Sequence, residues 1–357
     1  MQPSRTAAAP PLPLRDLDLI LERTRPLWDD ARRRRIFLTG GTGFFGSWLV
    51  ESFCHINRAL ELDAQLVVLT RNPAAFAAKC PHLAAEAGVT LHAGDVRNFE
   101  FPAGAFDFVL HAATATDARL IEADPVEAFS TIVAGTERVL AFAAACGARR
   151  FLLTSSGAIY GKQPPDLTHV PETYPGGPDP LAPSSVYAEG KRAAEMLCAL
   201  HAQKSGLDCA IARCWAFCGP HLPLDQHFAI GNFIGDVLAG RPIRIQGDGT
   251  PRRSYLYAAD LAIWLWTMLF RGPSLVPINV GSPQDVSILE LARTVASVLR
   301  PETEIQAART PDPAVPPPRY VPSVDRARDL LGLAPTVSLE EGIRRTAAWY
   351  RGSPAGA

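Results

Sequence analysis

Thr39-Gly40-Gly41-Thr42-Gly43-Phe44-Phe45-Gly46 joins the apolar run Ile36-Phe37-Leu38 to a stretch, Phe44 to about Asn57, with helical spacing of apolar residues. Strand, glycine turn and helix in that order form the opening unit of a dinucleotide-binding α/β fold. Gly40, Gly43 and Gly46 let the backbone turn sharply and approach a pyrophosphate. The helix N-terminus offers that anion unpaired N–H groups and a partial positive charge. Thr42, Phe44 and Phe45 complete the cofactor loop. An ordinary strand-to-helix turn has no need of three glycines at this spacing.

Outward from this turn the alternation continues. Leu66-Val67-Val68-Leu69 reads as a second strand and Phe106–Leu110 as a later one. Val126–Cys146 reads as a long amphipathic helix, and Phe151-Leu152-Leu153 as the strand after it. Short apolar strands separated by helices predict an α/β protein: a Rossmann-type doubly wound parallel sheet with a smaller C-terminal α/β lobe. The expected division is an N-terminal extension over 1–34, an NAD(P)-binding domain over 35–220, and a mainly substrate-binding lobe over 221–350 with segments returning to the first domain. Within the extension, Leu17-Asp18-Leu19-Ile20-Leu21 could pack as a short helix. The run Pro311–Pro318 is a rigid connector, with helices expected near 323–331 and 338–350.

Composition excludes several classes. With 35 Lys plus Arg against 36 Asp plus Glu, no broad affinity for nucleic acid is expected. Seven cysteines include no CxxC pair and no metal set, which suits thiols in a reducing cytoplasm. The apolar run Leu261–Phe270 is far short of the about 20 residues a membrane span needs, and suits a buried helix. The expectation is a cytoplasmic protein without metal or membrane partners.

Cofactor choice is read at the end of the second strand. A carboxylate there would bond the ribose hydroxyls of NAD, but the chain has Thr70-Arg71-Asn72. Arg71 can pair with a 2′-phosphate, so NADP is favoured over NAD. Asp95, with Val96 beside it, could accept the adenine amino group. Ala112 and Ala113, after His111, would let the cofactor lie close to the sheet edge.

Tyr187 and Lys191 lie one turn apart on a predicted helix and share a face. A phenol is normally too weak an acid to serve as a base near neutral pH, and an ammonium beside it lowers its pKa. Lys191 can also bond the nicotinamide ribose, and Ser156 can hold the oxygen being oxidised. The Tyr-x-x-x-Lys spacing is common by chance. With Ser155-Ser156 at a strand end and the glycine turn upstream, it points to oxidation or reduction of a carbinol.

At these residues the chain resembles the extended short-chain dehydrogenase/reductase superfamily, and within it the nucleotide-sugar epimerase/dehydratase/decarboxylase group. The resemblance covers about residues 35–350. It rests on Thr39–Gly46, Gly94-Asp95, His111-Ala112-Ala113, Leu153–Gly161, Val186–Arg192, Gly247–Tyr255, Asp260-Leu261-Ala262 and Asn279-Val280-Gly281. It implies Ser156 as active-site hydroxyl, Tyr187 as base and Lys191 as its partner. It also implies Arg253 as the arginine gripping a sugar-nucleotide diphosphate, Arg319 as a second phosphate or ribose contact, and Asn232 on the segment capping the diphosphate. A homodimer built on a four-helix interface is implied too. The alternative for Arg253 is a salt bridge to Asp260.

Departures from the family pattern narrow the chemistry. Dehydratases of the group carry an Asp-Glu pair just after the active-site hydroxyl, where this chain has Gly157-Ala158. UDP-glucuronate decarboxylases place a Glu two residues after it, where Ala158 stands. Ala216 takes the place of an Asn that often touches substrate, and Ile132 that of a structural Asn. The leading expectation is a nucleotide-sugar 4-epimerase working through a transient 4-keto sugar. The alternatives are an NADPH-dependent keto-sugar or carbonyl reductase, which Arg71 favours, and a non-catalytic NADP-binding scaffold.

Overall fold

The computed structural model describes residues 8–114, 118–226 and 228–352. Its centre is a seven-stranded sheet. Six strands are β1 (Arg35–Thr39), β2 (Gln65–Thr70), β3 (Val89–Ala93), β4 (Phe108–His111), β5 (Arg150–Ser156) and β6 (Asp208–Cys214), and the seventh is Ile278–Val280. The spatial order is β3-β2-β1-β4-β5-β6 followed by Ile278–Val280. Every neighbouring pair in it is parallel. This is the doubly wound order, and it reverses between β1 and β4, the switch point beyond whose strand ends such sheets bind their ligands.

Register places the loops that matter. Thr39 pairs with His111 and His111 with Leu153, while Ser156 pairs with Cys214. The glycine turn, Ala112-Ala113 and Ser156 therefore emerge together at the carboxyl edge. Alternate side chains on β1 serve two cores. Ile36 and Leu38 join the cluster containing Trp48, Phe53 and the helix Ala258–Arg271. Phe37 points to the other face and packs with Phe99, Phe106 and Phe142.

The helix Pro125–Ala145 begins on Asp124, whose side chain accepts from Glu127 N at 2.9 Å, with proline at its first position. It is long and apolar enough to cross a membrane by length and composition alone, with mean hydropathy 1.2. Here Ile132, Val139, Leu140, Phe142 and Ala143 belong to the core against the sheet.

Residues 8–34 are part of the main body. The helix Leu14–Thr24 buries Leu17 and Ile20, and Trp28 packs edge-on against Trp266 with centroids 4.9 Å apart. Buried Asp16 accepts from Tyr257 Oη at 2.7 Å and from Arg345 at 2.5 Å, tying this segment to the C-terminal helix Leu339–Arg351. The C-terminal half also returns to the sheet, since the helix Ala258–Arg271 covers one face and Ile278–Val280 extends β6. Beside it a small sheet sets Arg252–Ser254 between Asp285–Ser287 and Arg319–Tyr320.

Candidate active site

The glycine turn is built for close approach. Gly40 has φ +75°, and a Cβ there would stand 2.6 Å from the backbone of Ala112 and Ala113. A Cβ on Gly46 would lie 2.2 Å from the Gly40 carbonyl oxygen. The helix Phe44–Ala59 then starts at Gly43 with no side chain capping it, so its first N–H groups face the crevice without a side-chain acceptor. These residues fit the pyrophosphate of a dinucleotide. Thr42 is half-buried, and its carbonyl accepts from Lys79 Nζ at 3.4 Å. Phe45 packs on Phe44 and Phe217, holding the start of the helix.

At the adenosine end, Asn72 caps the next helix by accepting from Ala75 N at 2.9 Å, which leaves Arg71 exposed at the strand end. The Asp95 carboxylate accepts from Arg97 Nε at 2.8 Å and from Arg97 N at 3.0 Å. The Arg97 hydrogen bond lowers its pKa against the effect of burial, and the charge of Arg71 adds to the lowering. Asp95 thus already has an arginine partner, and Val96 beside it is buried. Ala113 N donates to Thr39 Oγ1 at 3.0 Å. His111 lies between Thr39 Oγ1 at 2.7 Å and Thr136 Oγ1 at 3.1 Å, and burial pulls it down to about 3, so it is neutral.

The two serines at the end of β5 part company. Ser155 Oγ donates to Glu195 Oε1 at 2.5 Å, and Glu195 is itself clamped by Arg213 at 3.0 and 2.8 Å. Ser156 caps the turn Gly157–Tyr160, accepting from Ala158 N at 3.1 Å. Ser155 is therefore structural and Ser156 faces the crevice.

Tyr187 and Lys191 share the helix Val186–Ser205. Lys191 Nζ donates to the Thr154 carbonyl at 2.8 Å and lies 5.9 Å from the Tyr187 ring centroid. Burial pushes Tyr187 up to about 12, and the group that opposes the push is Ser156. Burial also draws Lys191 down to about 8.

Behind Ser156 the wall is aromatic. A Cβ on Gly157 would stand 2.6 Å from the Trp215 ring and 2.8 Å from Tyr320 Oη, so no side chain fits there as the wall stands. Trp215 is fixed by donating Nε1–H to Asn279 Oδ1 at 3.1 Å, which also accepts from Tyr160 Oη at 3.0 Å. Sequence reasoning misses Tyr320, Trp215, Glu195 and Asn279 as parts of the site. The Arg319-Tyr320 pair after the proline run is the available signal, and only its arginine draws notice.

The small sheet sorts the arginines by strand alternation. Arg252 and Arg319, opposite each other in register, both meet Asp285, Arg319 at 3.0 Å. Arg253 and Tyr320 form the next pair, and the Arg253 guanidinium lies 5.7 Å from the Tyr320 ring centroid. Arg253 donates to the Arg252 carbonyl at 2.9 Å and has no carboxylate partner among the described residues. The alternative partner Asp260 is occupied elsewhere, accepting from Thr336 Oγ1 at 2.5 Å and from Thr336 N and Val337 N. Asn232, on the helix Ala229–Leu238, has a buried Oδ1 with no hydrogen-bond partner among the described residues.

Residues 36–281 match the NAD dependent epimerase/dehydratase family. UDP-glucuronic acid decarboxylase 3 of Arabidopsis thaliana is 33% identical over 327 residues, covering 87% of this chain and 86% of that protein. The UDP-glucose 4-epimerase of Thermus thermophilus, solved in complex with NAD, aligns with TM-score 0.72 at 27% identity, covering 89% of this chain and 99% of that one. A dTDP-glucose 4,6-dehydratase from Streptomyces venezuelae shares the fold at TM-score 0.74 and 24% identity, covering 89% and 97%.

Proposed function

Because the chain belongs to the NAD dependent epimerase/dehydratase family of enzymes, we propose that it is a nucleotide-sugar 4-epimerase working through a 4-keto intermediate. The observation that carries this reading is Tyr187 near Ser156, which opposes the burial of the phenol, with Gly157 and Ala158 following that serine in place of acidic side chains. Tyr187 takes the proton of the C4 hydroxyl and later returns it. The dinucleotide, when bound, supplies the hydride acceptor and donor. Gly40, Thr42, Gly43, Phe44, Phe45 and Gly46 would hold its pyrophosphate, Ala112 and Ala113 its path along the sheet edge, and Asp95 and Val96 the adenine. Lys191, anchored by Thr154, is placed to meet the ribose. Elimination of water would call for a further acid and base, and positions 157 and 158 carry neither.

On the substrate side Arg253 is the cation reserved for the diphosphate, and the unsatisfied Asn232 Oδ1 is an acceptor awaiting a donor. Arg319 is committed to Asp285 and contributes through the loop it holds. NADP is the proposed cofactor preference, since Arg71 is exposed at the end of β2 and the Asn72 side chain is taken up in a cap. A homodimer is proposed as well. Val126 and Phe129 on one long helix and Met196 and Leu200 on its neighbour are exposed apolar residues that a symmetry mate would cover. Seven free cysteines suit a cytoplasmic location.

Decarboxylation of a nucleotide uronate is the second reading, favoured by the 33% identical relative. After oxidation at C4 such a substrate is a β-keto acid that loses carbon dioxide readily. NMR of product mixtures separates the two, with UDP-glucose and UDP-glucuronate supplied in turn and no cofactor added. Epimerisation predicts UDP-galactose from UDP-glucose. Turnover of UDP-glucuronate alone, with loss of its carboxyl group, would replace the first reading by the second.

A further inference from the structure

Two exposed cations flank the adenosine end of the crevice. Strands β1 and β2 run side by side with Thr39 opposite Leu69, so the glycine turn and Thr70-Arg71 leave the sheet together. Arg71 stands exposed at the end of β2 and forms no ion pair among the described residues. Lys79 comes from the last position of the helix Pro73–Lys79, and its side chain crosses to the glycine turn. There Nζ donates to the Thr42 carbonyl at 3.4 Å. The main chain beneath it is pinned. Lys79 O accepts from Ala9 N at 2.8 Å, and Phe76, Cys80 and Leu83 around it are buried. An ordinary surface lysine keeps its rotamer freedom, whereas this one is drawn over the cofactor loop.

A carbonyl is a neutral acceptor, so the charge of Lys79 stays uncompensated. It has no carboxylate partner among the described residues. The acids of this end are committed elsewhere. Asp95 is clamped by Arg97 at 2.8 Å, and Arg97 also holds Glu127 at 2.5 Å. Buried Glu51 accepts from Leu12 N at 2.7 Å and faces His82 at 3.5 Å.

We propose that Lys79 is a cofactor-specificity residue: with Arg71 it forms a two-sided clasp for the 2′-phosphate of NADP, Arg71 from the end of β2 and Lys79 from across the glycine turn. The inference rests on the proposed NADP preference and adds a residue outside both the glycine motif and the strand end. In this fold the adenosine ribose lies at the end of the second strand. A phosphomonoester there carries about −1.5 to −2 charges at neutral pH, more than one guanidinium can balance. An ammonium has three donors, so Lys79 can keep one on Thr42 and turn another to the phosphate. NAD offers only hydroxyls at that point and gains little from a second cation.

The test is calorimetric titration of NADP and NAD into protein freed of retained dinucleotide, for the parent, Lys79→Gln and Lys79→Glu. Glutamine keeps a donor without the charge. It should weaken NADP about five- to tenfold, the scale of one exposed charge-assisted contact, and leave NAD nearly unchanged. The loss should shrink at high salt. Lys79→Glu should lower NADP affinity further, and melting temperatures should hold. Equal losses for NADP and NAD would assign Lys79 to the pyrophosphate. Unchanged NADP affinity in both variants would make it a plain surface lysine, and failure of both variants to fold would make it structural. Each of these three results overturns the inference while the NADP preference stands on Arg71. A parent that binds NAD more tightly than NADP would overturn the inference and the NADP preference together, leaving the proposed epimerase chemistry standing.

Discussion

Replacing Arg253 with alanine separates ligand binding from folding. The guanidiniums of Arg252 and Arg319 both meet Asp285, so truncating either strips a partner from a carboxylate the fold uses. Arg253 has no such tie. Its contacts are a bond to the Arg252 carbonyl at 2.9 Å and the face of Tyr320 at 5.7 Å. Losing a half-buried cation–π contact costs about 0.5–1 kcal/mol of stability, a shift of a few degrees at most in a chain of this size. Losing a charge-assisted hydrogen bond to a diphosphate costs about 1.5–3 kcal/mol of binding. That is about 10- to 100-fold in Kd. Arg253→Lys keeps the charge without the fork and should fall between parent and alanine. Calorimetry with UDP-glucose, a melting curve and an NADP titration make the assay. A UDP-glucose affinity unchanged by Arg253→Ala, in a parent that binds it, would refute the assignment of Arg253 to the diphosphate.

Tyr187→Phe keeps the ring and removes the proton acceptor, so turnover falls by at least ~10² while cofactor still binds; near-parental turnover would remove Tyr187 from the mechanism. Arg71→Ala weakens NADP more than NAD, and equal losses for both, or tighter NAD binding by the parent, would reject the NADP preference. Met196→Glu with Leu200→Glu yields one chain mass by light scattering where the parent shows two; a parent that is monomeric at micromolar concentration rejects the dimer. His111 and His221 are both pulled down to about 3 by burial, below the unfolded value. Their folded pKa values are depressed, so the stability they confer is present above about pH 6.5 and declines by ~1.4 kcal/mol per pH unit per histidine as pH falls below it. Urea titrations giving the same stability at pH 7 and pH 5 would contradict that.

Local pattern made the first half of the fold legible. The glycine turn, the apolar strands and the Tyr-x-x-x-Lys helix each declare themselves over a few residues, and the alternation of strands and helices announces the parallel sheet. What stayed hidden depends on which way a side chain faces after long-range packing. Ser155 and Ser156 are indistinguishable as letters, and Glu195 from a distant helix decides between them. Arg319 and Tyr320 are neighbours on a two-residue strand, so one had to face Asp285 and the other Trp215 and Gly157. One-turn spacing puts the lysine beside Tyr187, and only the folded sheet shows that the Thr154 carbonyl anchors its ammonium. The N-terminal segment, Pro- and Ala-rich at its start, gives no sign that Asp16 is buried against Tyr257 and Arg345 at the far end of the chain.

The central claim is transient oxidation at C4 within a closed site, and UDP-glucose deuterated at C4 tests it most directly. Converted in ordinary water without added cofactor, it should give UDP-galactose that keeps its deuterium at C4, with no hydrogen taken from solvent at that carbon. Deuterium lost to solvent from C4, or an inert UDP-glucose in protein shown to retain its dinucleotide, would contradict the account.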